Sequence, residues 1–146
     1  MLRELKKQGK SVVFTNGCFD LLHLGHARYL AGAARQGDVL VVAINTDKSV
    51  RRLKGKDRPI FPEQERAEML AGLESVDYVT FFNESTPLQI IKRLKPDVLV
   101  KGADWAMDDI VGRKETEALG GRVVRAKLTE GYSSTSIFEK IQALPK

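Results

Sequence analysis

The two histidines of this 146-residue chain, His23 and His26, stand three residues apart in the stretch TNGCFDLLHLGH, which runs from Thr15 to His26 and also holds the one cysteine, Cys18. A run of strand character, SVVFT (11 to 15), leads into it, Asn16 and Gly17 suit a turn, and helical spacing begins near His23. A turn between a strand end and a helix start presents unpaired backbone amides at one place, and the helix dipole adds positive potential there. The expected ligand is an anion such as a phosphate. Residues at i and i+3 share one side of a helix, so both imidazoles can donate to the same phosphoryl oxygens, and Gly25 keeps side-chain bulk away from an approaching ligand.

Two other readings of the pair stay open. Histidines at helical spacing also serve as metal ligands, although a zinc site needs a third or fourth protein ligand and no further histidine exists in the chain. They also occur as ordinary half-buried or surface side chains. Cys18 reads as a small buried residue, because nothing beside it in sequence looks like a base reserved for a thiolate.

Three further segments carry chemistry. KSVRRLKGKDR packs Lys48, Arg51, Arg52, Lys54, Lys56 and Arg58 into the eleven residues after the second strand. It reads as a basic loop able to close over a triphosphate, with Gly55 as its bending point, or equally as solvated charge. VKGADW brings Lys101, Gly102 and Asp104 to the end of a fourth strand. GYSSTS places the hydroxyls and amides of Ser133 to Ser136 at the start of a last helix, as a second phosphate cradle facing the first or as a plain N-cap run. No Walker A loop, dinucleotide glycine fingerprint or G-x-S-x-G elbow is present to propose another phosphate or acyl chemistry.

The elements that must position these residues follow from periodicity. Strand-length apolar runs at 11 to 15, 39 to 45, 77 to 82, 97 to 101 and 122 to 128 alternate with helical segments at 23 to 37, 62 to 75, 86 to 95, 108 to 121 and 133 to 144. Pro62 suits a first helical turn, Thr86 an N-cap, and Gly37 and Gly120 helix ends. The first ten residues read as a short amphipathic lead-in helix. Continuous Val/Ile/Leu strands are those of a parallel sheet covered on both faces. The expectation is one α/β domain spanning residues 1–146, with a doubly wound, mainly parallel five-stranded sheet flanked by helices, Rossmann-like, and a ligand crevice outside the carboxyl ends of the strands.

Composition narrows the setting. A chain that is 42% hydrophobic and 29% charged folds rather than staying disordered, and its apolar runs are too short to span a membrane. One cysteine and no apolar leader point to the cytoplasm. The net charge of +5 favours anionic partners, but the basic segment has too little interleaved aromatic surface for a nucleic-acid partner.

In this order the segments resemble the HxGH nucleotidyltransferase superfamily, the cytidylyltransferase-like group: GCFDLLHLGH resembles its first signature and GYSSTSI its second, with LESVDYV and KGADW between. Within it, TNGCFDLLHLGHARYL, AINTDKSVRRLKGKDRPI, ESTPLQIIKRLKPDVLVKGADW, IVG and GGRVV are similar to the heptose 1-phosphate adenylyltransferase domain of bacterial lipopolysaccharide and ADP-heptose biosynthesis, in its stand-alone form without a kinase portion. The resemblance implies transfer of AMP from ATP, as substrate, to a sugar 1-phosphate, with release of pyrophosphate. It implies Mg2+ held mainly by the phosphates, with no metal site of the protein's own, and a homo-oligomer. It assigns charge stabilisation to His23 and His26 and a triphosphate contact to Lys54. Nucleotide contacts fall to Asn16, Gly17, Cys18, Phe19, Gly25, Lys101, Gly102, Asp104, Tyr132, Ser133, Ser134 and Thr135, and substrate contacts to Asp20 and Arg66. The same signature serves cytidylyltransferases for phosphorylated alcohols such as glycerol 3-phosphate and FAD-synthase-like adenylyltransferases. A nucleotide- or RNA-binding module without turnover is the reading from another class.

Overall fold

A computed structural model describes residues 1–146. Its most buried strand is β2 (Val39–Asn45), whose seven residues are all buried. Such a strand needs a partner strand on each edge and a layer on each face, and it has them. The five strands are all parallel in the order β3 (Tyr78–Phe82), β2, β1 (Val12–Gly17), β4 (Val98–Gly102), β5 (Arg122–Ala126).

Side chains alternate across a strand, so each strand feeds two cores. On one face Val13, Leu40, Val42, Ile44, Val98 and Val100 pack with Leu30 and Ala33 of α2 (Leu24–Ala34) and with Leu70 of α4 (Glu63–Ala71). On the other, Val12, Phe14, Val41, Ala43 and Leu99 pack with Phe82, Ile110 and Ile91 of α5 (Leu88–Leu94). Leu2 and Leu5 of the lead-in helix α1 (Leu2–Lys7) lie against this second core. The two helical layers make the sheet doubly wound, as the continuous apolar strands predict. No helix is long and apolar enough to cross a membrane.

Several local expectations change. The basic stretch after β2 is not a loop: α3 (Asp47–Lys54) occupies most of it, capped by Thr46, whose hydroxyl accepts from the Ser49 amide at 3.2 Å, and it stops at Gly55 with φ of 100°. Thr46 and Asp47 signal this cap and first-turn acid, but the density of positive charge after them masks the helix. Thr86 is not an N-cap, because α5 begins after Pro87 with no side-chain cap. The helical segment at 108 to 121 is broken in two, a 3-10 turn (Met107–Asp109) and α6 (Arg113–Ala118), separated by Gly112 at φ of 88°. A Cβ at Gly112 would stand 2.5 Å from Ile91 Cδ1, so the break is where the chain presses against α5. The last helix, α7 (Ser134–Gln142), follows β5, and none of its residues is buried.

The connections wind outward from β1 through β2 to β3, then return across the sheet to β4 and on to β5. The winding therefore reverses between β1 and β4. Neighbouring loops diverge at such a point and leave a crevice at the carboxyl ends of the strands.

Candidate active site

The crevice is a cleft of about 380 Å³ between the turn after β1, the turn after β4 and the start of α7. Of the site residues the family resemblance implies, all line it except Arg66.

His23 is the N-cap of α2, with extended backbone at φ of −138°. Its Nδ1 accepts from the His26 amide at 3.3 Å, which fixes the neutral tautomer with the proton on Nε2, the nitrogen free to donate to a ligand. The His26 ring stacks on it, with centroids 3.8 Å apart and planes 17° off parallel, and Phe19 closes the far side of His26 at 5.1 Å. Burial lowers the pKa of both rings; for His26 burial and then the neighbouring His23 bring it down to about 4. Both imidazoles are neutral donors at pH 7. Gly25 serves this arrangement directly, since a Cβ there would lie 2.9 Å from the His23 ring and 2.9 Å from Tyr132 Cβ. The room it preserves is for protein groups as well as for ligand.

Asp20 and Arg66, both expected at the substrate, have other work. Asp20 is 1% exposed and accepts from Arg58 Nε at 2.7 Å, the Ile60 amide at 2.8 Å and the Phe61 amide at 3.0 Å. Burial alone raises its pKa, but the Phe61 and Ile60 amides and the Arg58 guanidinium outweigh that and hold its carboxyl below the usual range. Asp20 thus anchors segment 58 to 61 to the wall of the cleft. Arg66 is fully buried: Nε donates to the Phe61 carbonyl at 3.0 Å, Nη1 to the carbonyls of Cys18 and Asn45 at 2.8 Å each, and Nη2 to Asp47 at 2.8 Å. It ties the ends of β1 and β2 together and cannot touch substrate. A buried arginine is rare enough that a helix-borne Arg in an apolar neighbourhood reads first as surface or site.

Of the basic segment, only Lys54 reaches the cleft. Arg52 donates to the Asn83 carbonyl, and Arg58, besides binding Asp20, lies 5.8 Å over the ring of Phe138 on α7. The expectation of a basic loop closing over phosphates is replaced by one lysine at a helix end, braced by its neighbours. Lys101 supplies the second cation. It donates to Asn16 Oδ1 across the β1–β4 seam, and burial, partly opposed by Asp104, lowers its pKa to about 8.

At α7, Ser133 Oγ accepts from the Ser136 amide at 2.9 Å and Ser134 Oγ donates to the Leu21 carbonyl at 3.0 Å. The Ser134 hydroxyl is engaged within the protein, while that of Ser133 serves only as an acceptor. The groups left for an anion are the Ser134 and Thr135 amides, which have no acceptor, and the O–H groups of Ser133 and Thr135. Cys18 is half-buried with its thiol 3.6 Å from Asn45 Oδ1, and burial raises its pKa, so it is no nucleophile. No group of three His, Cys, Asp or Glu side chains stands together that could hold a metal ion.

The cleft thus converges two helix N-termini, two lysines and two neutral imidazole donors, a setting for a polyanion whose charge shifts during reaction. A cytidylyltransferase-like family model matches residues 14–140, from the middle of β1 into α7. The chain belongs to that family. Among its relatives, the bifunctional protein HldE of Citrifermentans bemidjiense is 56% identical over 134 residues, which is 92% of this chain and 28% of that protein. HldE of Geobacter sulfurreducens is 54% identical over 93% of this chain and 28% of its own length. The chain therefore spans little more than a quarter of these curated relatives. A solved structure, the lipopolysaccharide core biosynthesis protein from Thermoplasma volcanium GSS1, superposes with a TM-score of 0.68 at 33% identity, covering 86% of this chain and all of that one.

The cytidylyltransferase-like cleft also contains residues that sequence reasoning passed over: Tyr29, Trp105, Leu128 and Thr129. Tyr29 bonds Thr15 at 2.8 Å and donates to the Val100 carbonyl at 3.2 Å, stitching β1 to β4 beneath the floor. Its position three residues after His26 carries a helical-face signal that could have found it. Leu128 was assigned to the fifth strand, which ends at Ala126.

Proposed function

We propose that this domain transfers AMP from ATP to a sugar 1-phosphate of the heptose type, giving an ADP-sugar and pyrophosphate. The observation that carries the reading is the stacked, neutral His23–His26 pair facing Lys54, Lys101 and the open amides of α7 in one cleft. The heptose acceptor is supported by 50–56% identity to HldE proteins.

An ionised phosphate oxygen of the acceptor attacks the α-phosphorus, a new P–O bond forms, and the bond to the β-phosphate breaks with its electron pair leaving on pyrophosphate. No proton has to be removed from the nucleophile and no enzyme nucleophile is needed, which agrees with a cleft of donors and cations without an activated Ser or Cys. His23 Nε2 donates to the α-phosphoryl oxygens as their charge redistributes, with His26 stacked behind it. Lys54 and the Ser134 and Thr135 amides hold the departing phosphates, and Lys101 neutralises charge where acceptor and nucleotide meet. Removing one such preorganised donor costs about 2.7–4 kcal/mol of transition-state stabilisation. Mg2+ fits the site only as an ion carried by the phosphates, because Asp20 is engaged and Asp104 is the one further carboxylate in the cleft. Dependence on ATP puts the proposed reaction in the cytoplasm.

The test is pyrophosphate release measured across ATP, CTP and GTP with a panel of acceptors including D-glycero-D-manno-heptose 1-phosphate and glycerol 3-phosphate. Turnover with ATP and the heptose phosphate is expected. Preference for CTP with glycerol 3-phosphate would assign the cleft to alcohol cytidylyl transfer, and nucleotide binding without pyrophosphate under any acceptor would make it a sensor.

A further inference from the structure

None of the nine residues of α7 is buried, yet Ser134 and Thr135 of its first turn line the cleft. A helix so lightly covered keeps its place only through a few specific contacts. Three of its residues are half-buried, Ser134, Ile137 and Phe138, and their spacing of three and four puts them in one stripe on its covered side. At one end of the stripe Ser134 Oγ donates to the Leu21 carbonyl at 3.0 Å. One turn later the ring of Phe138 lies under the Arg58 guanidinium, 5.8 Å from centroid to Cζ.

Arg58 is itself held from the other side. Its side chain is 13% exposed, and its Nε donates to Asp20, the residue before Leu21. Nη2 is buried and has no hydrogen-bond acceptor, so the negative face of the Phe138 ring supplies the potential that an oxygen otherwise would. The Arg58 amide also donates to the Gly55 carbonyl at 3.2 Å, in the turn that follows Lys54 at the end of α3. The contacts close a ring: Asp20 holds Arg58, Arg58 meets Phe138, and Ser134 returns to Leu21 beside Asp20. Arginine suits the place because its planar guanidinium bonds a carboxylate at its edge and stacks on an aromatic face at once, whereas an ammonium does one or the other.

Resting on the nucleotidyl-transfer reading above, we propose that Arg58 is a positioning residue for the triphosphate. Through Phe138 it holds α7 against the domain, and through the turn at Gly55 it ties that helix to Lys54, so the two contacts for the departing phosphates are registered on one guanidinium. Arg58 acts through these groups and does not touch nucleotide, since it is not among the residues that line the cleft.

The experiment is calorimetric binding of ATP and of AMP to the wild type, Phe138→Leu, Arg58→Lys, the double variant and Phe138→Tyr. Amide hydrogen exchange of α7 and pyrophosphate release are followed on the same proteins. Phe138→Leu keeps an apolar side chain on α7 and leaves Asp20 paired. The expected result is ATP affinity weakened roughly three- to thirtyfold in each single variant, the factor carried by a cation–π contact, with AMP, which lacks the β- and γ-phosphates, bound within about twofold of wild type. Exchange of α7 should quicken while β1 and β2 exchange as before. The double variant should lose no more than Arg58→Lys alone, because both changes act on one contact, and Phe138→Tyr, which returns a ring to the guanidinium, should recover the affinity lost in Phe138→Leu. Losses that multiply in the double variant, or equal losses for ATP and AMP, would overturn the proposal and leave Arg58 a structural residue. Pyrophosphate release by a wild type whose ATP affinity is unmoved in Phe138→Leu and Arg58→Lys would keep the transfer and overturn the role of Arg58. A wild type that binds ATP no more tightly than AMP and releases no pyrophosphate, with faster α7 exchange in the variants, would discard nucleotidyl transfer and keep Arg58 as the residue that holds the helix.

Discussion

The imidazoles of His23 and His26 lie face to face, 3.8 Å between centroids. Two positive rings at that spacing, in a cleft partly closed to water, repel strongly enough that protonating one disfavours the other. The neutral pair is therefore built into the geometry, and the first prediction concerns pH.

His26 is expected to titrate near pH 4 in the folded protein, against 6.5 for an unperturbed histidine. Because the folded pKa lies below the unfolded one, the native state binds fewer protons between them. The associated stability is complete above about pH 6.5 and is lost as the pH falls toward 4, with an upper bound on the order of 3 kcal/mol before solvent screening is discounted. Proton NMR titration reads the pKa directly, and urea unfolding at pH 7 and 4.5 should show a smaller acid loss in His26→Gln than in the wild type. A His26 resonance titrating near 6.5 would contradict the buried stack.

His23→Ala and His26→Ala should each lower turnover by roughly 10²–10³-fold, the scale for one transition-state donor, while circular dichroism and thermal unfolding still report the native fold. Retained activity, or loss of folding in both variants, would return the pair to a structural role.

The two lysines should separate kinetically. Lys54→Ala is expected to raise KM for ATP with no change in melting temperature. Lys101 loses its proton as the pH rises through about 8, so kcat/KM for the free enzyme should fall on an alkaline limb near that value. Lys101→Arg keeps its charge and should push the limb upward. A pH profile flat to 9.5 in the wild type would remove Lys101 from the reaction.

Arg66→Met should destabilise the fold by about 3–5 kcal/mol, since it leaves the Cys18, Asn45 and Phe61 carbonyls and Asp47 without their buried partner. Guanidinium unfolding gives the number. A stability within 1 kcal/mol of wild type would mean that water replaces the guanidinium, as estimated from the usual cost of unmade buried hydrogen bonds.

What could be read from the sequence follows from the range over which each signal acts. Strand runs such as VLVVAIN report burial on both faces through residue type alone, and the parallel sheet follows from their alternation with helices. The cleft was legible because its residues sit at strand ends and helix starts, which local patterns mark. The burial of Arg66 and the anchoring contacts of Asp20 were not legible because their partners, Asn45 and Cys18 for one and Ile60 and Arg58 for the other, lie far away in sequence. Charge announces itself in a sequence, but whether it faces ligand or backbone is decided by tertiary contacts. Trp105 ends the KGADW segment without any signal of its own, because exposure beside a cavity has no one-dimensional signature.

The reversal of winding between β1 and β4 also sets when the site can exist. The seam is narrow, pairing Val13 with Val98 and Phe14 with Leu99, and it joins segments more than eighty residues apart, reinforced by Tyr29 and by Lys101 on Asn16. Local pairs such as β1–β2 close short loops and form early, whereas this one must wait for a long loop to close. During synthesis the histidine turn emerges with the first half of the chain, yet it has no second wall until β4 arrives. Nucleotide affinity is then a property of the finished chain, and a ribosome-bound fragment ending before Val98 would carry both histidines and no cleft for them to face.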